Sequence, residues 1–460
     1  HAAARRGDID AVTLLLSGGA EVDQARMDGS TPLFIACQNG HVATAQMLWE
    51  RGARIHRTKE HGETPLYAAC AGGHFETMRV LLMLGAEVDR ARKDDGATPL
   101  FVACECGHVD AARLLLEKGA EVDRATENGW TPLFIACQNG HVGAARLLLE
   151  EGAEINRADK DGGTPLFLAC QEGQVDAALL LLDKGAEVDR AMEDGTTPLC
   201  IACQNDHIDA AQILLEHGAE VDRPNEGSAT PLLVACQLGH VDAVRLLLAR
   251  GAKADKAMKG DLTPLFLVCQ QGHIDLARLL LEGGAEVDRS LMLDMTALFT
   301  ACAEGHTDVA QLLLEHGADA NHKSKYSTTP LCDACAGGHV ALVKLLLERG
   351  AEIQGGDGDE SPEGSGGDKF HEGDVVDVWS QGCEEYGPAI IRRDHGDGTY
   401  DVDFGVVFME NETGVAARSI RKFLRSPLAI ARREGHAEIV ALLEEKDRDR
   451  PTFVKQRSDG

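Results

Sequence analysis

Thr31-Pro32-Leu33-Phe34-Ile35-Ala36-Cys37-Gln38-Asn39-Gly40-His41 decides the fold, because the stretch comes back. Further copies open at Thr64, Thr98, Thr131, Thr164, Thr197, Thr230, Thr263, Thr296 and Thr329, each 33 residues after the last except for one interval of 34. A fixed period of this size signals a solenoid, in which each unit packs only against its neighbours. The question of function moves with it, from chemistry to surfaces.

One copy can be read physically. Thr131 is a good N-cap, and Pro132 suits the first helical position, where its missing N–H is harmless. Leu133, Ala136 and Cys137 fall at i, i+3 and i+4, an inward stripe on a short helix. Gly140 ends that helix in a left-handed conformation. Val142, Ala145, Leu148 and Leu149 line a second helix, and Gly152 closes it. Residues 153–163 carry Asn, Asp and Gly and read as a hairpin-like loop. The predicted fold is therefore mainly α, a solenoid of helix-turn-helix-loop units.

Composition agrees. Of the 460 residues 44% are hydrophobic but only 4% aromatic, so the core is built from Leu, Ala, Val and Ile in thin layers. Lys plus Arg is 45 against 75 Asp plus Glu, a net charge of -30. That charge repels phosphate backbones and argues against nucleic acid. No apolar run approaches the roughly 20 residues that span a bilayer. Ten of the 14 cysteines occupy one repeat position, from Cys37 to Cys335, as small core residues rather than halves of bridges. A reducing intracellular compartment, cytoplasmic or nuclear, fits them. The chain begins at His1 in the middle of a repeat, and we read it as a piece of a longer protein.

The motif T-P-L-x-x-A-C-x-x-G-H followed by L-L-L-x-x-G-A-E-V-D is similar to the ankyrin repeat. The resemblance covers residues 1–353, whose first repeat is partial, and 425–446. It implies a curved stack with projecting loop tips. One departure is regular: the family usually has His after T-P-L, and here Phe34, Tyr67, Phe101, Phe134, Phe167, Cys200, Leu233, Phe266, Phe299 and Cys332 stand there. Apolar packing is expected to replace that histidine.

After Ile353 the next copy is late, arriving at Ser426. Residues 354–367 are rich in Gly, Asp and Ser and read as a linker. Residues 368–424 change character. Val375 to Trp379, Ala389 to Arg392 and Tyr400 to Phe404 are β-rich runs, and Asp397-Gly398 is a hairpin signal. Gly373-Asp374-Val375-Val376, Gly387-Pro388-Ala389-Ile390-Ile391 and Asp397 to Phe404 resemble Tudor- or Agenet-like SH3-type barrels, and related modules beside the ankyrin repeats of mind-bomb-type ubiquitin ligases. The family's acidic D-D-G-E turn is replaced by Gly405-Val406-Val407-Phe408. Residues 447–460 form a polar tail.

Chemistry is sparse. Cys37 and His41 form a C-x3-H pair that nine copies share; the Cys170 copy has Gln174. A structural zinc needs four ligands and each repeat offers two, so a buried thiol and a loop-bridging histidine are the better reading. No nucleophile-base arrangement, P-loop or dinucleotide fingerprint stands outside the repeat pattern. We expect no catalytic, metal or cofactor site.

Variable positions speak to partners. The first-helix ends Gln38, Asn39, Gln138 and Asn139 suggest an amide-rich concave face, with plain solvation as the alternative. The tip Leu291-Met292-Leu293-Asp294-Met295 lacks the usual Gly, and Ala297 replaces Pro. Exposed apolar clusters mark contacts. Leu291, Met292, Leu293 and Met295, with Leu262 and Tyr326 flanking, form a candidate partner-binding tip; Trp130 is either a contact or packed on neighbouring loops. In the insert, Trp379, Tyr386, Tyr400, Phe404 and Phe408 are a candidate aromatic cage for a methylated side chain or simply a small barrel's core. Residues 368–424 hold 12 acidic and 6 basic side chains, net -6, which suits a basic peptide. The expectation is a monomeric, non-enzymatic scaffold for protein partners. The alternatives are the substrate-recognition part of a ubiquitin ligase, or a reader of methylated tails.

Overall fold

A computed structural model describes residues 1–353, 375–380, 385–394, 399–403, 412–416, 420–422 and 426–448. The expected linker at 354–367 and residues 449–460 of the expected tail lie outside them. The chain divides into two units, His1–Glu226 and Gly227–Gly460.

In the first unit, Ala2–Arg6 and Ile9–Ser17 open a run of helix pairs. Pro32–Gln38 with Val42–Glu50 follows, and the pattern repeats to Pro198–Gln204 with Ile208–Glu216. The second unit carries Pro231–Leu238 with Val241–Ala249, Pro264–Gln270 with Ile274–Glu282, Ala297–Ala303 with Thr307–Glu315, and Pro330–Ala336 with Val340–Glu348. Its last pair is Pro427–Arg433 with Ala437–Arg448. Among the described residues no helix is long and apolar enough to cross a membrane.

The local chemistry is shared by the pairs that open at Thr31 to Thr263. Thr31 is extended (φ -89, ψ 163) and its hydroxyl accepts a hydrogen bond from Phe34 N at 3.2 Å, with Pro32 at the first helical position. Tyr67, Phe101 and Phe134 donate to Thr64, Thr98 and Thr131 in the same way. Thr296 departs: its hydroxyl is buried without a partner, where Ala297 replaces the proline. The first helix ends where Gly40 turns left-handed (φ 72), and a Cβ there would lie 2.6 Å from the His74 ring; one copy carries Asp206 (φ 58) at this position instead.

The core is a stack of thin layers. Leu33, Leu66, Leu100, Leu133 and their counterparts are essentially sealed, as are the thiols from Cys37 to Cys335. Burying one such leucine stabilises by roughly 1.5–3 kcal/mol, and the gain is shared only between neighbours. The aromatic set that replaces the family's histidine is buried as expected, from Phe34 (3%) to Phe299 (1%). Phe266 is the exception and stays half-exposed.

Ser426 resumes the period in space as well as in sequence. His436 Nε2 meets Ala336 O at 3.1 Å across 100 residues of chain, and Lys344 lies 3.5 Å from Glu438. The residues between Ile353 and Ser426 are therefore an insertion at an inter-repeat loop. They contain five antiparallel strands: β1 (Val375–Ser380), β2 (Glu385–Asp394), β3 (Thr399–Asp403), β4 (Glu412–Ala416) and β5 (Ile420–Lys422). Their order in the sheet is β4-β3-β2-β1-β5.

Candidate functional site

Before any surface can be assigned to a partner, the groups that hold repeat to repeat must be set aside. The histidine of most G-H pairs is one of them. His41 Nε2 reaches Arg5 O at 2.9 Å, His74 reaches Gln38 O at 3.0 Å, and His141 reaches Glu105 O at 3.0 Å. In the second unit His306 and His339 do the same to Gln270 O and Ala303 O, at 3.0 and 3.1 Å. Each ring caps a carbonyl at the end of the preceding repeat's first helix, a group the helix cannot satisfy itself. The partner cysteine lies in the core, where desolvation pushes its thiol well above the usual range, to about 12 at Cys236. Among the described residues no cluster of three or more His, Cys, Asp or Glu could hold a metal.

The acidic G-A-E-V-D runs form a second ladder. Asp123 accepts from Glu154 N at 3.0 Å, Asn156 from Glu187 N at 3.0 Å, and Asp255 from Glu286 N at 3.1 Å. Burial raises the Asp123 and Asp189 carboxyls, and these backbone bonds pull the other way. A third ladder joins the tips through the backbone: Glu60 N donates to Asp28 O, Lys93 N to His61 O and Glu127 N to Asp95 O. The single 34-residue interval places its extra residue in the tip Lys93-Asp94-Asp95-Gly96 without breaking that ladder.

The tips share one backbone device. Gly29, Gly62, Gly96, Gly129, Gly162 and Gly195 are all left-handed at the same position of the period. A Cβ on Gly29 would lie 2.9 Å from Glu60 N, so the tight tip needs glycine. In the second unit that position holds Ser228 (φ 65), Asp261 (φ 58), Asp294 (φ 57) and Ser327 (φ 61). Left-handed geometry costs non-glycine residues on the order of 1 kcal/mol each.

What remains is the face formed by first-helix ends and tips. An open cavity of about 250 Å³ marks it in the first unit, lined by Phe34, Gln38, Glu63, Tyr67, Ala68 and Ala71. Charged side chains crowd its rim. Lys59 lies 3.3 Å from Glu63 and over the Phe34 ring; Arg92 lies 3.8 Å from Glu63, binds Asp95 and covers the Tyr67 ring at 5.6 Å. The Arg92 hydrogen bond holds Asp95 below the usual carboxylate range, while burial raises Glu105.

Six periods later, in the second unit, the charged Glu63 position is apolar and its neighbours open to solvent. Leu262 stands for Glu63, Phe266 for Tyr67 and Leu267 for Ala68, and all three are half-exposed. Leu238 stands where most copies have Asn, Gly or a charged residue, and it is 50% exposed. Its neighbour Gln237 is tied to the next helix by Gln271 Nε2 at 3.0 Å.

The residues singled out from sequence fall unevenly on this face. Gln38 and Asn39 are exposed, but the Asn39 amide donates to Ile35 O at 2.7 Å. The Asn139 amide donates to Glu105 O at 2.9 Å, beside His141, so it too joins repeats. Gln138 is half-buried and its Oε1 has no partner. Trp130 stacks on Phe134 (centroids 5.4 Å apart) and donates to Asp159 at 3.2 Å, which is packing on a neighbouring loop. The candidate apolar tip is shielded only in part, and the correction falls on Tyr326. Tyr326 is buried at 3%, and Leu291, Leu293 and Met295 are half-buried. The cause is a closed hairpin: Leu291 N donates to Met295 O at 2.9 Å, and Lys325 N to Leu293 O at 2.8 Å. The Met292 side chain lies outside the described set. For the cage, Phe404 and Phe408 lie outside the described residues; the strand register sets Trp379 opposite Tyr386, and Tyr400 opposite Asp394 and Val415.

One residue escaped the sequence reading. Asp333 occupies the position of Ile35, Ala68, Val102, Ile135, Leu168 and Ile201, all buried. Desolvation raises its carboxyl to about 7, and among the described residues it has no ion pair. Aligning the copies in register was enough to find it.

A family model described as ankyrin repeats (three copies) matches residues 1–92, 88–159, 157–225, 223–290 and 265–357. No curated protein matches the chain. Among solved structures, the crystal structure of the human ASB11 ankyrin repeat domain is similar at 33% identity, with 48% of this chain and 99% of that one covered and a TM-score of 0.44. Matched over more than half of its length, the chain belongs to the ankyrin-repeat family.

Proposed function

We propose that the chain is a non-enzymatic scaffold that binds protein partners on the face made by first-helix ends and loop tips. The observation that carries this reading is the contrast between positions. Core, capping and ladder residues are held constant by packing, whereas the face around the Phe34–Tyr67 cavity changes from charged in one unit to apolar in the other. Variation on a rigid, regular support is what a recognition surface needs.

The test compares two sets of substitutions that add negative charge to the full chain, one on this face (Gln38→Glu with Gln270→Glu) and one on the second helices (Arg113→Glu with Arg146→Glu). Partners captured from cells should be lost with the first set and kept with the second. Equal capture by both would refute the reading.

The insert carries a second reading. The strand order β4-β3-β2-β1-β5 supports an SH3-type barrel over 368–424, and the Trp379–Tyr386 pairing supports a two-residue cage for a basic or methylated peptide. Binding to a methyl-lysine peptide array that survives Trp379→Ala would remove the cage.

A further inference from the structure

The second unit presents an unpartnered apolar surface on the recognition face, and carboxylates follow it along the stack. Leu238 is half in solvent at the end of Pro231–Leu238. Leu262, Phe266 and Leu267 on the adjoining repeat keep an exposure that their counterparts Tyr67 and Ala68 lose. Just past the end of the next first helix, Ala297–Ala303, the exposed Glu304 has no ion pair among the described residues. On the helix after that, Pro330–Ala336, the half-buried Asp333 has no ion pair among the described residues, and desolvation favours its protonated form until a cation lies against it. Between them the face is lined by small residues, Ala303 and Ala336, which leave room for an incoming chain.

The spacing defines what fits. Packed helices lie roughly 8–10 Å apart. An extended chain advances about 3.3 Å per residue, so it spans about three residues per repeat. We propose that this face binds an extended segment of a protein partner, seating an apolar side chain on Leu238 and Leu267 and placing Lys or Arg about three and six residues further along, opposite Glu304 and Asp333. The inference rests on the scaffold reading and names the chemistry of its ligand. Charge complementarity selects a basic segment over an acidic one. The apolar seat sets the register, because a carboxylate on an exposed rim adds selectivity more than affinity.

The experiment is a selection of random twelve-residue peptides on the full chain, followed by titration of the recovered peptides against variants. Leu238→Ser and Glu304→Lys change exposed side chains and leave the core intact. Recovered peptides should carry an apolar residue followed at about +3 and +6 by Lys or Arg. Leu238→Ser should weaken them about tenfold, in line with half-burial of one leucine. Glu304→Lys should weaken them several-fold, and exchanging the peptide's +3 Lys for Glu should restore binding to that variant. Peptides whose affinity stays within twofold in both variants, yet falls with Gln38→Glu, would overturn the inference and leave the scaffold reading standing. Recovery of no peptide would overturn both.

Discussion

Replacing Asp333 by asparagine should make the protein's stability less dependent on pH, and the direction follows from where the carboxyl sits. At a position otherwise filled by Ile, Ala, Val, Leu or Thr, water is largely excluded, and the charged form is the one that suffers. The carboxyl therefore titrates at about 7 in the folded chain against 3.8 in the unfolded one. Below pH 3.8 both states hold the proton, and the folded protein has its full stability. Between pH 4 and 7 the folded state keeps a proton that the unfolded state has released, so stability falls as pH rises through that window and levels off above it. Three units correspond to about 4 kcal/mol. Asp333 keeps a partial opening to solvent, so screening lowers the effect to roughly 2 kcal/mol. Asparagine has the same shape and no charge. The urea stability of Asp333→Asn minus that of the parent should be near zero at pH 4 and grow to about 2 kcal/mol by pH 8, since other titrating groups cancel in the difference. Solenoid stability is local, so hydrogen exchange in Pro330–Ala336 and Pro427–Arg433 should report the same trend. A difference that is flat from pH 4.5 to 8 would refute the desolvation argument.

Other outcomes follow from the ladders and the tips. His141→Ala removes the ring that caps Glu105 O, and should cost about 1 kcal/mol in urea unfolding; a variant as stable as the parent would mean that water or Asn139 replaces it. Ser228→Gly should stabilise by about 0.5–1 kcal/mol, because it relieves left-handed strain, whereas Gly29→Ser should destabilise through the 2.9 Å approach to Glu60 N; denaturation midpoints moving in the opposite sense would contradict the assignment. Leu148→Ala, at a sealed position, should cost about 2–5 kcal/mol and be felt chiefly in its own and adjoining repeats, as hydrogen exchange would map. In maleimide mapping of the native protein, Cys106 should label first among the thirteen described cysteines, because the others are buried.

Most of the helical architecture was legible because it is written locally and repeatedly. Thr followed by Pro supplies a cap and a start, and Gly40 stops the helix in a conformation its neighbours cannot adopt. None of these needs a distant partner to be understood. The Cys-His pair illustrates the limit: its spacing invited a metal, and counting ligands turned that aside. Its actual task, a hydrogen bond to a carbonyl 36 residues earlier, belongs to the stacking and not to the motif.

The same limit explains the misread surface. Tyr326 looks exposed from its place at a tip, because sequence assigns it to a loop and loops face water. Here successive hairpins lie against each other through Lys325 N and Leu293 O, and a residue at the junction is shielded by the next copy. Asn139 erred the other way: an amide in a variable position reads as a free recognition group, yet it shares Glu105 O with His141. In a solenoid, then, variability by itself does not mark a contact residue. A position is free to specify a partner only when it varies and the next repeat leaves it uncovered. Leu238 and Glu304 meet both conditions, being variable in register and exposed, and that is why the ends of the first helices carry the recognition assignment.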